Sequence, residues 1–229
     1  MHAIIDLHMN FYNSLARENS WIVEELKLEG VSLLTGFVKK VNLVHKFYSA
    51  YYKEERERIV LCGINPGRLG AGKTGVPFID FASLSYLLPG IDTADSELSA
   101  TFIFSIINKL GYGVFFNKVY LTNISWFGFS KEGRNYNYYR LPNHLQTQFT
   151  NGFIKEMEIV KPKTIIPLSK QVEKTINRMQ VQNLINPQIL IAQALAHPYY
   201  YSNFRTRYNR GIKTYIEAIE KYTGCPTLY

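Results

Sequence analysis

The chain has 229 residues, with 26 Lys+Arg against 18 Asp+Glu, a net charge of +8, 46% hydrophobic residues and two cysteines. This is an ordinary globular balance, which excludes a disordered chain. Cys62 and Cys225 are too few for a disulfide framework, a four-cysteine zinc site or an all-cysteine iron–sulfur cluster. No apolar run approaches the roughly 20 residues of a membrane span. The first residues show neither a basic n-region nor a long apolar stretch, so no membrane partner and an intracellular, reducing setting are the expectation. A single domain over 1–229 is expected too, as no Pro/Gly/Ser linker divides the chain.

Taken in chain order, residues 1–55 read as helical: Ile4, Leu7, Phe11 and Leu15 recur at helical spacing, and Leu33, Val38, Val41 and Val44 do so more loosely. Residues 58–64 (RIVLCGI) form an apolar run that stops at the turn signal Asn65-Pro66-Gly67. A helix is expected over 97–110, closed by Gly111. A second strand follows at 118–122 and an amphipathic helix at 142–160. A third strand at 164–168 leads to a helix near 170–179. A fourth strand at 189–196 ends at His197-Pro198, and the last helix covers about 209–222. Strands alternating with helices predict an α/β fold. The expectation is a three-layer α/β/α sandwich around a mostly parallel four-stranded sheet, with helices at the N-terminus.

In such folds ligands lie beyond the carboxyl ends of the strands. The polar residues there are Asn65, Asn123, Ser169 and His197. Charge adds a second indication: residues 161–229 hold ten Lys/Arg against three acids. A basic final third suits a polyanion such as nucleic acid, although it also serves solubility.

The segment Gly67-Arg-Leu-Gly-Ala-Gly72-Lys73-Thr74 matches the phosphate-loop pattern G-x-x-x-x-G-K-[ST]. Such a loop must run directly into a helix that holds phosphate. Here Gly75-Val76-Pro77 follows, which disfavours one. No later strand ends in the Asp needed for magnesium. A phosphate-loop nucleotide hydrolase is thus the weaker reading.

The longer stretch 63–78 (GINPGRLGAGKTGVPF) resembles the first motif of the uracil-DNA glycosylase superfamily. Its N-P-G followed by T-G-V-P-F is most similar to the single-strand-selective monofunctional (SMUG-type) branch. His197-Pro198 matches the second motif, and Asn123 in V-Y-L-T-N falls where the family places its base-reading Asn. One departure stands out. The SMUG-type branch continues after His-Pro with Ser-Pro-Arg-Asn-Pro, whereas this chain has Tyr199-Tyr-Tyr-Ser-Asn-Phe-Arg205. The segment that relatives push into the helix is therefore not matched.

The resemblance implies a monofunctional DNA glycosylase that flips uracil out of DNA and hydrolyses its N-glycosidic bond in base excision repair. Further deaminated or 5-substituted bases are possible substrates. Asn65 and His197 are the implied catalytic residues, and Ile64, Gly67, Phe78 and Asn123 the base-binding set. Chemistry agrees with these residue types. An aromatic ring such as Phe78 can stack on a flipped base, although an ordinary core Phe is the alternative. A fixed Asn amide offers both a donor and an acceptor to uracil, although an Asn there also suits a turn. His197 can donate to O2 of the leaving base, or be a structural His. Asn65 cannot be a general base at neutral pH; it orients water, so slower catalysis is expected than with the Asp of the uracil-specific branch. Gly67 leaves the base's C5 side open where that branch has Tyr. Tyr199, Phe204, Arg205, Arg207 and Arg210 are candidate DNA contacts, with Phe204 or Arg205 as the wedge; tyrosines packed on the domain are the alternative. A second aromatic–basic stretch, Trp126 to Arg140, either lines the groove or is buried against the sheet. No metal and no cofactor are expected. The partner is uracil-containing DNA, single- or double-stranded, and the protein is expected to act as a monomer. Cytoplasm is the expected location, with the nucleoid for a bacterial chain or the nucleus for a eukaryotic one. A catalytically weak DNA-binding relative is the alternative function.

Overall fold

The structure is a computed structural model that describes residues 1–53, 56–91, 95–203 and 205–224, Arg205 by its backbone alone. In chain order, α1 (His2–Ser14), α2 (Ser20–Leu28), a strand β1 (Val31–Leu33), α3 (Gly36–Lys39) and α4 (Val41–Tyr51) precede the first apolar strand, β2 (Ile59–Gly63). Then come α5 (Ala71–Thr74), α6 (Phe81–Leu87), α7 (Leu98–Leu110), α8 (Tyr112–Lys118) and β3 (Val119–Asn123). A hairpin of β4 (Phe129–Lys131) and β5 (Arg134–Tyr136) leads through a 3-10 turn to α9 (Asn143–Val160). The chain ends with β6 (Thr164–Pro167), α10 (Lys170–Val181), β7 (Leu190–Ile191), α11 (Pro198–Ser202) and α12 (Arg205–Thr223).

Strands β3, β2, β6 and β7 form one parallel sheet in that order. Both β2 and β3 are buried along their whole length, which is why they read as continuous apolar runs rather than alternating ones. Register puts Gly63, two residues before Asn65, beside Asn123, so the expected site positions after β2 and at the end of β3 lie at neighbouring strand ends. Helices cover both faces. Tyr120 of β3 points at α4 and α9, where its hydroxyl meets Tyr48 and Glu156. Phe102 of α7 packs edge-on against Tyr215 of α12 at 5.2 Å and stacks on Tyr201 of α11. The expected three-layer α/β/α architecture is thus the observed one.

Two expectations need correction. Residues 1–55 are not helical throughout. Gly30, at φ +65°, ends the path of α2, and Val31-Ser-Leu33 pairs antiparallel with β4. A small three-stranded sheet β1-β4-β5 results. Its hairpin turns through Glu132 and Gly133, both at positive φ, the two-residue turn whose twist suits paired strands. The other correction concerns the expected strand over 189–196, which is regular only at Leu190–Ile191. Leu190 is exposed at the sheet edge, and beyond it Ala192 and Leu195 keep only single backbone bonds to Ile165 and Pro167. This looser run is what carries His197 around the end of the sheet.

Candidate nucleic-acid site

A cleft of about 260 Å³ opens beyond the carboxyl ends of β2 and β3. It gathers Ile64, Asn65, Gly67, Phe78, Asn123, His197 and Tyr199 from segments up to 135 positions apart. Ser169 is not among them; its hydroxyl accepts the Val172 N–H and caps α10 instead.

The glycine-rich segment builds the cleft wall. α5 lasts only four residues and stops at Gly75, which adopts φ +79° and passes so close to Phe37 that a Cβ would lie 2.6 Å from its Cα. Thr74 is fully buried, and its hydroxyl donates to the Ile79 carbonyl at 2.6 Å while accepting the Val76 N–H. Lys73 pairs with Asp95. Thr74, which would hold magnesium in a phosphate loop, is therefore committed to the turn itself, and Lys73 sits in a surface ion pair. That turn presents Phe78, held at φ +60°, a conformation unusual for a bulky side chain. Gly63 makes room for it: a Cβ there would stand 2.4 Å from both Phe78 Cζ and Asn123 Oδ1. The missing side chain lets the ring and the amide share one corner of the cleft.

Asn123 is 4% exposed, yet its side-chain amide has no hydrogen-bond partner among the described residues. The amide is not sealed in the core but opens into the cleft, where its donor and acceptor are available to a ligand. Asn65 is different. Its Oδ1 accepts the Tyr138 N–H at 3.0 Å and its Nδ2 donates to the Tyr136 carbonyl at 3.3 Å, so the end of the hairpin fixes which way its amide points. Oδ1 retains a second lone pair for water.

His197 caps α11, with Pro198 in the first turn. Its Nδ1 accepts the Tyr199 N–H at 3.2 Å, which puts the ring proton on Nε2 as a donor. Burial holds the imidazole down to about 4, below its ordinary 6.5, so the ring is neutral at physiological pH. Tyr215 donates to the Ala196 carbonyl at 2.7 Å and anchors the residue before it.

Sequence reasoning missed Asn135, Asn137 and Glu97, all of which line the cleft. Asn135 Oδ1 accepts the Arg68 N–H at 2.9 Å and places its Nδ2 over Gly67. The Glu132-Gly133 turn was the available signal for the hairpin that delivers Asn135. The stretch Trp126 to Arg140 accordingly does both things considered for it: Trp126, Phe127, Phe129 and Tyr138 are buried, while Asn135 and Asn137 face the cleft. Of the candidate DNA contacts, Tyr199 is half exposed at the rim, and Arg207 and Arg210 are exposed on α12, Arg207 lying over the Tyr200 ring at 4.7 Å. Tyr201 instead packs inward on Phe102. Phe204 and the side chain of Arg205 lie outside the described residues. Among those residues no group of three or more His, Cys, Asp or Glu side chains is placed to hold a metal ion.

Proteins of a known family share this fold. The family model of the uracil DNA glycosylase superfamily matches residues 50–221, and the chain belongs to that superfamily, whose members are DNA glycosylases. Within it the chain is SMUG-like. It is similar to the crystal structure of wild-type Pedobacter heparinus SMUG2, with a TM-score of 0.70 and 26% identity over 86% of this chain and 90% of that one. Among curated proteins, none matches.

Proposed function

We propose that the protein is a monofunctional glycosylase that removes uracil from DNA, with Asn65, Phe78, Asn123 and His197 as its working residues. The amide of Asn123, open to the cleft beside Phe78 and without a partner among the described residues, carries the reading. A flipped uracil stacks on Phe78 and gives that amide both partners: Nδ2 donates to O4, and Oδ1 accepts from N3–H. Cytosine presents the reverse pair, and each mismatch costs about 1–3 kcal/mol.

Bond breaking leaves positive charge on the sugar and negative charge on the base. His197 Nε2–H donates to O2 as that charge develops; the neutral ring is already oriented by Tyr199. Asn65, pinned by Tyr136 and Tyr138, positions the water that adds to C1′. Ile64 completes the floor. Gly67 adds no side chain on the C5 side, where the Asn135 amide approaches instead, so polar 5-substituted uracils fit as well. Tyr199, Arg207 and Arg210 face the DNA strand, and the basic final third draws it in. We take 1–229 as one functional unit, a monomer working wherever the cell keeps its DNA.

The test is single-turnover excision from oligonucleotides carrying one uracil, single-stranded and duplex, with chelator present and alkaline cleavage of the abasic product. Excision by the wild-type protein that collapses in Asn65→Ala and His197→Ala supports the reading. Intact DNA binding with no excision overturns it.

A further inference from the structure

We infer that Glu97 is the general base of this reaction, an inference that rests on the glycosylase reading above. Asn65 can orient water but cannot take its proton. Hydrolysis at a sugar carbon is ordinarily helped by a carboxylate. Glu97 is the one carboxylate that lines the cleft among the described residues.

The chain holds this side chain in place from three directions. Its backbone N–H donates to Asp80 Oδ2 at 2.7 Å, and Asp80 is itself fully buried. Its Oε2 accepts the Ala100 N–H at 2.9 Å, which fixes the carboxylate at the start of α7. Gly70 of the glycine-rich loop lies against it: a Cβ there would stand 3.3 Å from both Cβ and Oε2 of Glu97. Oε1 accepts no hydrogen bond among the described residues. One oxygen is thus bound to the helix and the other is free.

A helix cap does not require this residue, as Ser, Thr, Asp and Asn serve best there. An anion in a cleft that receives a polyanion also weakens binding. Both points favour a chemical role. The water oxygen bonds to C1′ as the C1′–N1 bond breaks. The electron pair leaves with the base, and its charge on O2 meets His197 Nε2–H. The water proton passes to Glu97 Oε1 and then to solvent, and the departed base takes a proton from solvent. The negative charge of Glu97 also favours the positive sugar.

Glu97→Gln separates this role from capping, since the amide oxygen can still accept the Ala100 N–H. Three quantities are read: single-turnover uracil excision, affinity for duplex carrying a non-cleavable abasic analogue, and melting temperature. We expect excision to fall about 100-fold, within the usual range for a general base. Affinity stays the same or rises, and melting is unchanged. In Glu97→Ala, which loses the cap as well, added formate restores part of the rate. Excision by Glu97→Gln within about threefold of wild type overturns the inference alone. No excision by the wild-type protein overturns the reading beneath it.

Discussion

Two clusters in this molecule each set an imidazole and a carboxylate among aromatic rings. In the core, His8 is 2% exposed, stacks on Trp126 at 4.0 Å, and turns Nε2 toward Glu156 Oε2 at 3.5 Å. Glu156 Oε1 accepts the Tyr120 hydroxyl at 2.6 Å, and Tyr120 meets Tyr48 at 3.0 Å. Burial first, and then the Glu156 charge, push both phenols well above their usual range, so both stay protonated. In the cleft, His197 Nε2, Glu97 Oε1 and the Asn123 amide have no such partners among the described residues. The same residue types therefore do different work. In the core, hydrogen bonds through Tyr120, Tyr48 and Glu156 Oε1 tie α4 and α9 to the sheet, while His8 Nε2 and Glu156 Oε2 face each other without a hydrogen bond; in the cleft, a substrate is expected to supply the partners.

The largest effect expected from breaking this contrast is Glu156→Ala. It removes the acceptor of the buried Tyr120 hydroxyl and should cost about 3 kcal/mol of stability, read by urea unfolding. The folded fraction should still excise uracil at the wild-type rate. His197→Ala should do the opposite, lowering single-turnover excision about 100- to 1000-fold while stability falls only by the roughly 1 kcal/mol of the lost α11 cap. Gly63→Ala sharpens the comparison, because its new Cβ displaces Phe78 and Asn123 together. We expect a loss of about 1–3 kcal/mol with impaired excision, and a crystal structure should show the ring moved.

The pH response of His197 is smaller and has a definite sign. Its folded value, about 4, lies below 6.5, so the unfolded chain takes up the proton first as pH falls. Stability should decline between pH 6.5 and about 4 and gain nothing further above 6.5. NMR should find the ring neutral, with its proton on Nε2, across that window. Lys73→Ala should have the smallest effect. An exposed ion pair with Asp95 contributes about 0–1 kcal/mol, and excision in chelator should persist.

Much of the parallel sheet was legible in the sequence because β2, β3 and β6 are buried on both faces and end at turn signals. Asn65, Asn123 and His197 could be found as strand-end residues, and the motif order reinforced them. The hairpin was harder to see. Strands of three residues with mixed polarity, Phe129–Lys131 and Arg134–Tyr136, have too little pattern to register, so Asn135 and Asn137 went unseen. Glu97 reads as an ordinary helix start; only the positions of Gly70, Asp80 and Ala100 around it make it distinctive. His8 is likewise one polar residue on an apolar face until α9 brings Glu156 against it.

The central claim is that the open amide of Asn123 reads uracil, and Asn123→Asp tests it most directly. A carboxylate keeps the shape but replaces the donor facing O4 with a second acceptor. The account predicts a loss of about 3 kcal/mol in the single-turnover excision of uracil, roughly 100-fold, with duplex binding retained. Uracil excision unchanged in Asn123→Asp would contradict it.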